Sequence, residues 1–420
     1  MILHKAKTLL VIGYVWPEPN SSAAGSRMLQ LLSVFRGAGY EVVYGSAADS
    51  SQHAVDLASL GIEAVSLSLN CASFDDYLRH LQPDVVMFDR FMMEEQFGWR
   101  VEQYCPGALR ILDSEDLHFL RHARHLAMKQ NQPLSDTHLY NDLAKREIAA
   151  ILRCDLTLVI SEFELTLLQE KFNIPSHILH YCPFMQEQVE FAETPEFARR
   201  QHFISIGNFR HAPNWDAVLY LKQHIWPAIR KVLPQAELHI YGAYPPPKAT
   251  ALHDERQGFL VKGWAEDAVS VVAQARVMLA PLRFGAGLKG KLIDAALCQT
   301  PAVTSSIGAE GMYGSLPAGI MVADAPDEFV QMAVELYQQA DTWQTFSGQA
   351  GQLLAGRFSM QRHGPALLAK MDQVIRELDT SRLSNFYGSM LRHHSLRSTQ
   401  YMAQWIEAKN RLKALQSVTS

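Results

Sequence analysis

Pro281-Leu-Arg-Phe-Gly-Ala-Gly-Leu-Lys-Gly-Lys-Leu-Ile-Asp294 follows an apolar run, Val277–Ala280, and leads into a helical segment, Lys291–Cys298. Glycines at a strand-to-helix turn let backbone N–H groups close on an anion, and the helix N-terminus adds a favourable dipole. Lys289, Lys291 and Arg283 supply full positive charges. The ligand that suits this chemistry is a diphosphate. Two familiar templates fit the stretch badly. Gly285-x-Gly287-x-x-Gly290 has the spacing of a dinucleotide fingerprint, but it lies late in its domain rather than after the first strand. Gly285-x4-Gly290-Lys291 has the spacing of a P-loop, but Leu292 stands where a hydroxyl must reach magnesium, which argues against a P-loop NTPase.

Outward from this loop the chain alternates short apolar runs with amphipathic stretches. Leu9–Ile12, Glu41–Tyr44, Val85–Phe88, Arg110–Leu112 and Leu156–Ile160 read as strands, and Gly25–Gly37 as a helix with Met28, Leu31, Leu32 and Phe35 on one face. The polar stretch Gln186–Gln201, with Glu187, Glu190, Glu193 and Glu196, reads as a linker. The pattern then restarts with Phe203–Ile206, Glu237–Tyr241, Gly258–Val261, Val277–Ala280 and Pro301–Thr304. This is an α/β chain of two parallel-sheet domains, with a cleft between the carboxyl ends of their strands. Pro365–Leu378 reads as a further helix, with Leu367, Leu368, Met371, Ile375 and Leu378 on one side.

Composition narrows the function. The chain has 420 residues, 48% of them hydrophobic, and carries 38 basic against 43 acidic side chains, a net charge of −5. That balance excludes a disordered chain and argues against nucleic acid as a partner. Five scattered cysteines without a C-x-x-C pair predict five buried thiols and a cytoplasmic protein. The apolar run Leu9–Trp16 is too short for a signal sequence or a membrane span. The last forty residues, Ser381–Ser420, reverse the charge, with six basic residues against Glu407 alone. They admit three readings: helices packed back on the first domain, which their aromatic content favours; peripheral contact with an anionic membrane; or contact with an anionic glycan or nucleic-acid partner.

From Val277 to Met312 the sequence VMLAPLRFGAGLKGKLIDAALCQTPAVTSSIGAEGM resembles the donor-binding segment of family 4 glycosyltransferases, which have the GT-B fold. The resemblance extends to SIGNFRHAPNWDAVLYL (Ser205–Leu221), HIYG (His239–Gly242), VKGWAED (Val261–Asp267) and DSEDLHFLRHAR (Asp113–Arg124). Most of residues 8–378 follows the family's order of elements. The resemblance implies a Rossmann-like acceptor-side domain over 1–185, a linker over 186–200, a nucleotide-sugar-binding domain over 201–360 and C-terminal helices over 361–420. It implies transfer of a sugar, with retention, from a nucleotide-diphosphate sugar to a glycan, lipid-linked or protein acceptor, with no cofactor.

In the family's E-x7-E motif the later acid holds the nucleotide ribose; that place is Asp294 here. The earlier place is Ala286, so the backbone N–H groups of Gly287 and Leu288 become the candidate sugar contacts. The family's Arg and Lys after the second domain's first strand fall at Asn208 and Asn214, leaving Arg210, Arg283, Lys289 and Lys291 to hold the diphosphate. Gly207, Gly242 and Gly285 complete the expected donor site. His118, Asp116 and Lys289 are the expected catalytic residues, and Glu18, Gly25, Arg27 and Asp113 the acceptor side. Glu310 lies in a turn that resembles one closing the loop under the donor. His118, His122 and His125 share helical spacing but lack an outside ligand or an H-E-x-x-H motif, so no metal is expected there. No D-x-D triplet occurs, which fits metal-independent transfer. Two rival classes remain: a sugar-nucleotide epimerase of the same fold, and a degenerate GT-B protein that only binds a glycan or partner.

Overall fold

A computed structural model describes residues 6–187 and 195–419. Glu190 and Glu193 of the expected linker lie outside them. The first sheet has seven strands: β1 (Thr8–Gly13), β2 (Glu41–Ser46), β3 (Glu63–Ser66), β4 (Val85–Asp89), β5 (Leu109–Asp113), β6 (Leu156–Val159) and β7 (Leu179–Tyr181), in the order β3-β2-β1-β4-β5-β6-β7. The second has six: β8 (Gln201–Ile206), β9 (Leu238–Tyr241), β10 (Phe259–Gly263), β11 (Ala275–Ala280), β12 (Ala302–Thr304) and β13 (Ile320–Val322), in the order β10-β9-β8-β11-β12-β13. Both sheets are parallel throughout.

The central strands show why their sequences are continuously apolar. Leu9, Leu10, Val11 and Ile12 of β1 are all fully buried. Leu10 and Ile12 enter the core on one face of the sheet, and Leu9 and Val11 the core on the other. Val277 and Leu279 alternate with Met278 and Ala280 across β11 in the same way. A strand covered by helices on both faces has no polar side to alternate with.

The strand order reverses between β1 and β4, and again between β8 and β11. Chain directions diverge there, so the loops leaving these strands open a crevice at the carboxyl edge. The helix Ala23–Gly37 follows β1, and the Ser22 hydroxyl accepts the Gly25 N–H at 3.1 Å as its N-cap. The helix Gly290–Leu297 follows β11, with Lys289 at its N-cap position.

Between the domains, Gln186 pairs with Ser359, so the outgoing and returning chains cross side by side. The helix Met360–Arg376 then buries Leu367, Met371 and Val374 in the first domain's core. The helix Phe386–Thr419 lies on the helices Phe91–Tyr104 and Asp142–Arg153 of the same domain, with Leu396 and Ala403 against Trp99. All five cysteines are free; four are buried, but Cys71 is only half-buried, which corrects the expectation of five buried thiols.

Arg382 pins the start of this C-terminal unit. Its guanidinium donates to both oxygens of buried Asp155 at 2.8 and 2.7 Å, and to the carbonyls of Pro106 and Ala108. Burial opposes the Asp155 charge, but Arg382 and Arg110 outweigh it and hold the carboxyl below its ordinary value. The resulting stability is complete above the unfolded pKa and is lost as pH falls through the lower folded one. Removing one partner of a buried pair costs roughly 3–5 kcal/mol. Arg382→Ala should approach the lower end, because the Arg110 N–H stays on Asp155 at 2.9 Å. Urea unfolding measures this, and a loss under about 0.5 kcal/mol, the scale of an ordinary surface change, contradicts it.

Candidate functional site

The loops leaving β1, β5, β8 and β11 enclose a cleft of about 590 Å³ between the domains. Its floor is the junction of two helix starts. A Cβ on Gly290, at the start of the helix after β11, would lie 2.4 Å from Cβ of Ala23, at the start of the helix after β1. Two positive helix ends therefore converge on one space. The glycine is required by that contact.

The loop Pro281–Lys289 is shaped from the other domain. Gly287 has a left-handed backbone (φ +64°), and a Cβ there would meet Cβ of Asp116 at 2.8 Å. Its N–H donates to Glu164 Oε1 at 2.8 Å, and the same oxygen accepts the Leu117 N–H at 3.0 Å. Arg124 donates to the Gly285 carbonyl at 2.8 Å and grips both carboxylate oxygens of Glu310 at 2.8 and 2.6 Å. Glu310 is thus tied to Arg124 across the domain boundary rather than solvated in a plain turn. At the opposite rim, Glu18 accepts from Ser21 (2.6 Å), Ser51 (2.5 Å) and Tyr244 (2.8 Å), and the Trp264 indole donates to the Asn20 carbonyl at 2.9 Å.

The two loop lysines have different duties. Lys289 Nζ folds back onto the carbonyls of Ala286 and Gly287, at 3.1 and 2.5 Å. Lys291 Nζ reaches Asn214 Oδ1 at 2.9 Å, one turn from Asp294. Burial lowers both lysines to about 8, with Glu310 opposing the shift at Lys289 and Asp294 opposing it at Lys291. Burial raises Asp294 to about 7 against the pull of Lys291. Both Lys291 and Asp294 line the cleft.

A second group faces the loop from the first domain. Asp116 is ion-paired to Arg121, and its Oδ1 lies 3.7 Å from His118 Nε2. Burial disfavours the Asp116 charge, but Arg121, His118 and His211 outweigh it and hold the carboxyl far below the usual range. Burial pushes His118 and His211 down to about 4, so both are neutral at pH 7. Glu147 receives the His118 and Phe119 N–H groups at 3.1 and 2.9 Å and so fixes the start of the helix His118–Lys129. His122 is exposed and His125 stacks on Phe284 at 4.2 Å, so the three histidines point apart. Among the described residues, no set of three or more His, Cys, Asp or Glu side chains converges for a metal.

Of the expected site residues, Glu18, Asp116, His118, Gly207, Asn208, Arg210, Gly242, Gly285, Gly287, Leu288, Lys289, Lys291 and Asp294 line the cleft, as do Ala286 and Asn214. Four do not. Arg27 and Asp113 form a fully buried pair at 2.8 Å, with Arg27 also donating to the Cys182 and Pro183 carbonyls. They brace the crossing beneath the cleft instead of facing an acceptor. Gly25 is required by the Glu18 backbone, 2.4 Å from where its Cβ would be. Arg283 is held by Asp216 at 2.9 and 2.5 Å, outside the lining. Residues not anticipated from sequence are Glu164, Arg90, Glu115, His211, Tyr244 and Trp264. Glu164 sits in Ser161-x-x-Glu164, which reads as a local helix cap, but its carboxylate is spent on Leu117 and Gly287.

Residues 200–339 match the family model described as glycosyl transferases group 1. No curated protein matches the chain by sequence. Among solved structures, the chain is similar to a mutant of S. aureus TarM in complex with Fondaparinux, alpha-GlcNAc-glycerol and UDP. The identity is 13% and the TM-score 0.56, over 72% of this chain and 58% of the TarM chain. It is also similar to Anabaena HepE in complex with UDP and glucose (11%, TM-score 0.65, 88% and 100% covered). A third likeness is to sucrose-phosphate synthase from Thermosynechococcus elongatus (14%, TM-score 0.65, 90% and 100% covered). At these identities the structural likeness is one of fold. That fold is GT-B, and over residues 200–339 the sequence is similar to the group 1 glycosyl transferases.

Proposed function

We propose that the cleft holds a nucleoside-diphosphate sugar and transfers the sugar, with retention and without a metal, to a hydroxyl of a glycan, lipid-linked or protein acceptor. The observation that carries this reading is the meeting of two helix N-termini beside Lys291 and Asp294. The helix ends and Lys291 receive the diphosphate, and their positive charge stabilises it further as it leaves. Asp294, whose carboxylate has no hydrogen-bond partner among the described residues, accepts the two ribose hydroxyls. Gly287 is already committed to Glu164, so the sugar is left to the Leu288 N–H, neutral His118 and the Asp116 carboxylate. Lys289 shapes the loop by satisfying its carbonyls, and the fixed cations replace the charge a metal would bring. Because TarM and HepE were crystallised with UDP, uridine donors are the first to test. The test is product analysis with a nucleotide-sugar panel in EDTA, the anomer read by NMR. Net inversion, or activity that EDTA abolishes, contradicts the finer reading; an altered free nucleotide sugar would favour an epimerase.

Donor affinity should be bell-shaped in pH. Asp294 must lose its proton to accept both hydroxyls, so affinity rises through about 7; Lys291 must keep its proton to hold the diphosphate, so affinity falls above about 8. A nucleoside without phosphates should show the acid limb alone. Calorimetric titration of both ligands measures this, and an alkaline limb for the bare nucleoside contradicts the assignment of Lys291.

A further inference from the structure

We propose that the outward face of the helix Phe386–Thr419 is a docking surface for an anionic lipid bilayer. The helix has two unlike faces. Gly388, Leu396 and Ala403 face inward; a Cβ on Gly388 would come within 2.1 Å of the Leu152 carbonyl oxygen, and Leu396 and Ala403 pack on Trp99. Phe386, Tyr401, Trp405 and Leu412 are each between 59% and 71% exposed, and Met390 is 42% exposed. At 100° per residue these five fall within an arc of roughly 100°, a stripe about 39 Å long on the side away from the protein.

Charge says what covers the stripe. Ser381–Ser420 carries +5, whereas the other 380 residues carry −10 between them. Arg397, Lys409 and Lys413 are exposed along the helix. The one acid of the segment, Glu407, is turned inward, where it meets Arg411 at 2.7 Å and Arg100 at 3.9 Å. The outward face therefore presents aromatic and aliphatic side chains among cations with no carboxylate between them. Tyr and Trp carry an apolar ring and a polar tip, which suits the headgroup boundary, and the cations suit anionic headgroups. A second copy of the chain fits poorly, since pairing would oppose two faces of like charge. Among the described residues no helix is long and apolar enough to cross a membrane, so the helix would lie along the surface. This inference stands apart from the sugar-transfer reading.

The test is co-sedimentation of the full chain with vesicles of phosphatidylcholine alone, or with about one third phosphatidylserine, at low and high salt. The anionic vesicles should bind at least tenfold more tightly, and salt should weaken that binding. Tyr401→Ser with Trp405→Ser, and separately Arg397→Glu with Lys409→Glu and Lys413→Glu, should each reduce it tenfold or more with an unchanged thermal midpoint. Equal binding to both vesicles, or none, overturns the proposal. So does a dimer in light scattering that Tyr401→Ser and Trp405→Ser dissociate, because a second copy then covers the stripe.

Discussion

Lys291→Ala should lower kcat/KM about 10²–10³-fold while leaving the fold intact, the scale of removing one preorganised charge from a developing anion. The substitution sits in the first turn of a helix, where Ala is well tolerated, and removes one hydrogen bond to Asn214. Lys291 could alternatively serve only to keep Asp294 ionised. The two roles separate by pH. If Lys291 acts through Asp294, the variant regains activity as pH rises and Asp294 loses its proton; if it holds the diphosphate, no rise in pH restores turnover. The same substitution at Lys289 should act differently. Its Nζ bonds the carbonyls of Ala286 and Gly287, so Lys289→Ala loosens the loop and weakens the binding of nucleoside diphosphate and nucleotide sugar alike.

Gly287→Ala should weaken donor binding at least tenfold. Two penalties coincide there. A residue with a side chain is disfavoured at φ +64°, by roughly 1–3 kcal/mol. The added methyl would also meet Cβ of Asp116 at 2.8 Å and Cγ2 of Ile160 at 3.3 Å. Both neighbours belong to the first domain and neither is a flexible tip, so the loop must withdraw. Withdrawal takes the Gly287 N–H from Glu164, a carboxyl that burial has raised to about 7 and whose second oxygen already lacks a partner. Calorimetric titration of nucleoside diphosphate measures the effect, with circular dichroism as the check on folding. Wild-type affinity in a folded variant would show that the loop's register against Asp116 does not matter.

The two-sheet architecture was legible because its information is local. Short apolar runs such as Leu9–Ile12, recurring between amphipathic stretches, carry the signal of strands buried on both faces, and the glycines of Gly285–Gly290 mark the turn from β11 into a helix. What was not legible is long-range or directional. Glu164 and Gly287 are 123 positions apart, and Arg124 and Glu310 are 186 apart, so no spacing rule links them. Arg27 and Asp113 were misplaced for a different reason. Sequence locates Asp113 at the end of β5 but not the direction of its side chain, which turns under the sheet toward Arg27 while Glu115 and Asp116 turn into the cleft. Lys289 and Lys291 looked equivalent in sequence, yet two residues along a helix start rotate the side chain by about 200°. One folds onto the loop and the other reaches across to Asn214.

A donor cleft of this kind binds a nucleoside diphosphate between the two helix starts. The direct measurement is the thermal midpoint of the full chain with the diphosphates of uridine, guanosine and adenosine, each alone and without added metal. One of them at about 100 times its dissociation constant should stabilise the protein by about 2.7 kcal/mol. That shift should shrink in Lys291→Ala and in Asp294→Asn. No shift with any nucleotide at millimolar concentration, or an equal shift in wild type and both variants, would contradict the assignment of the cleft.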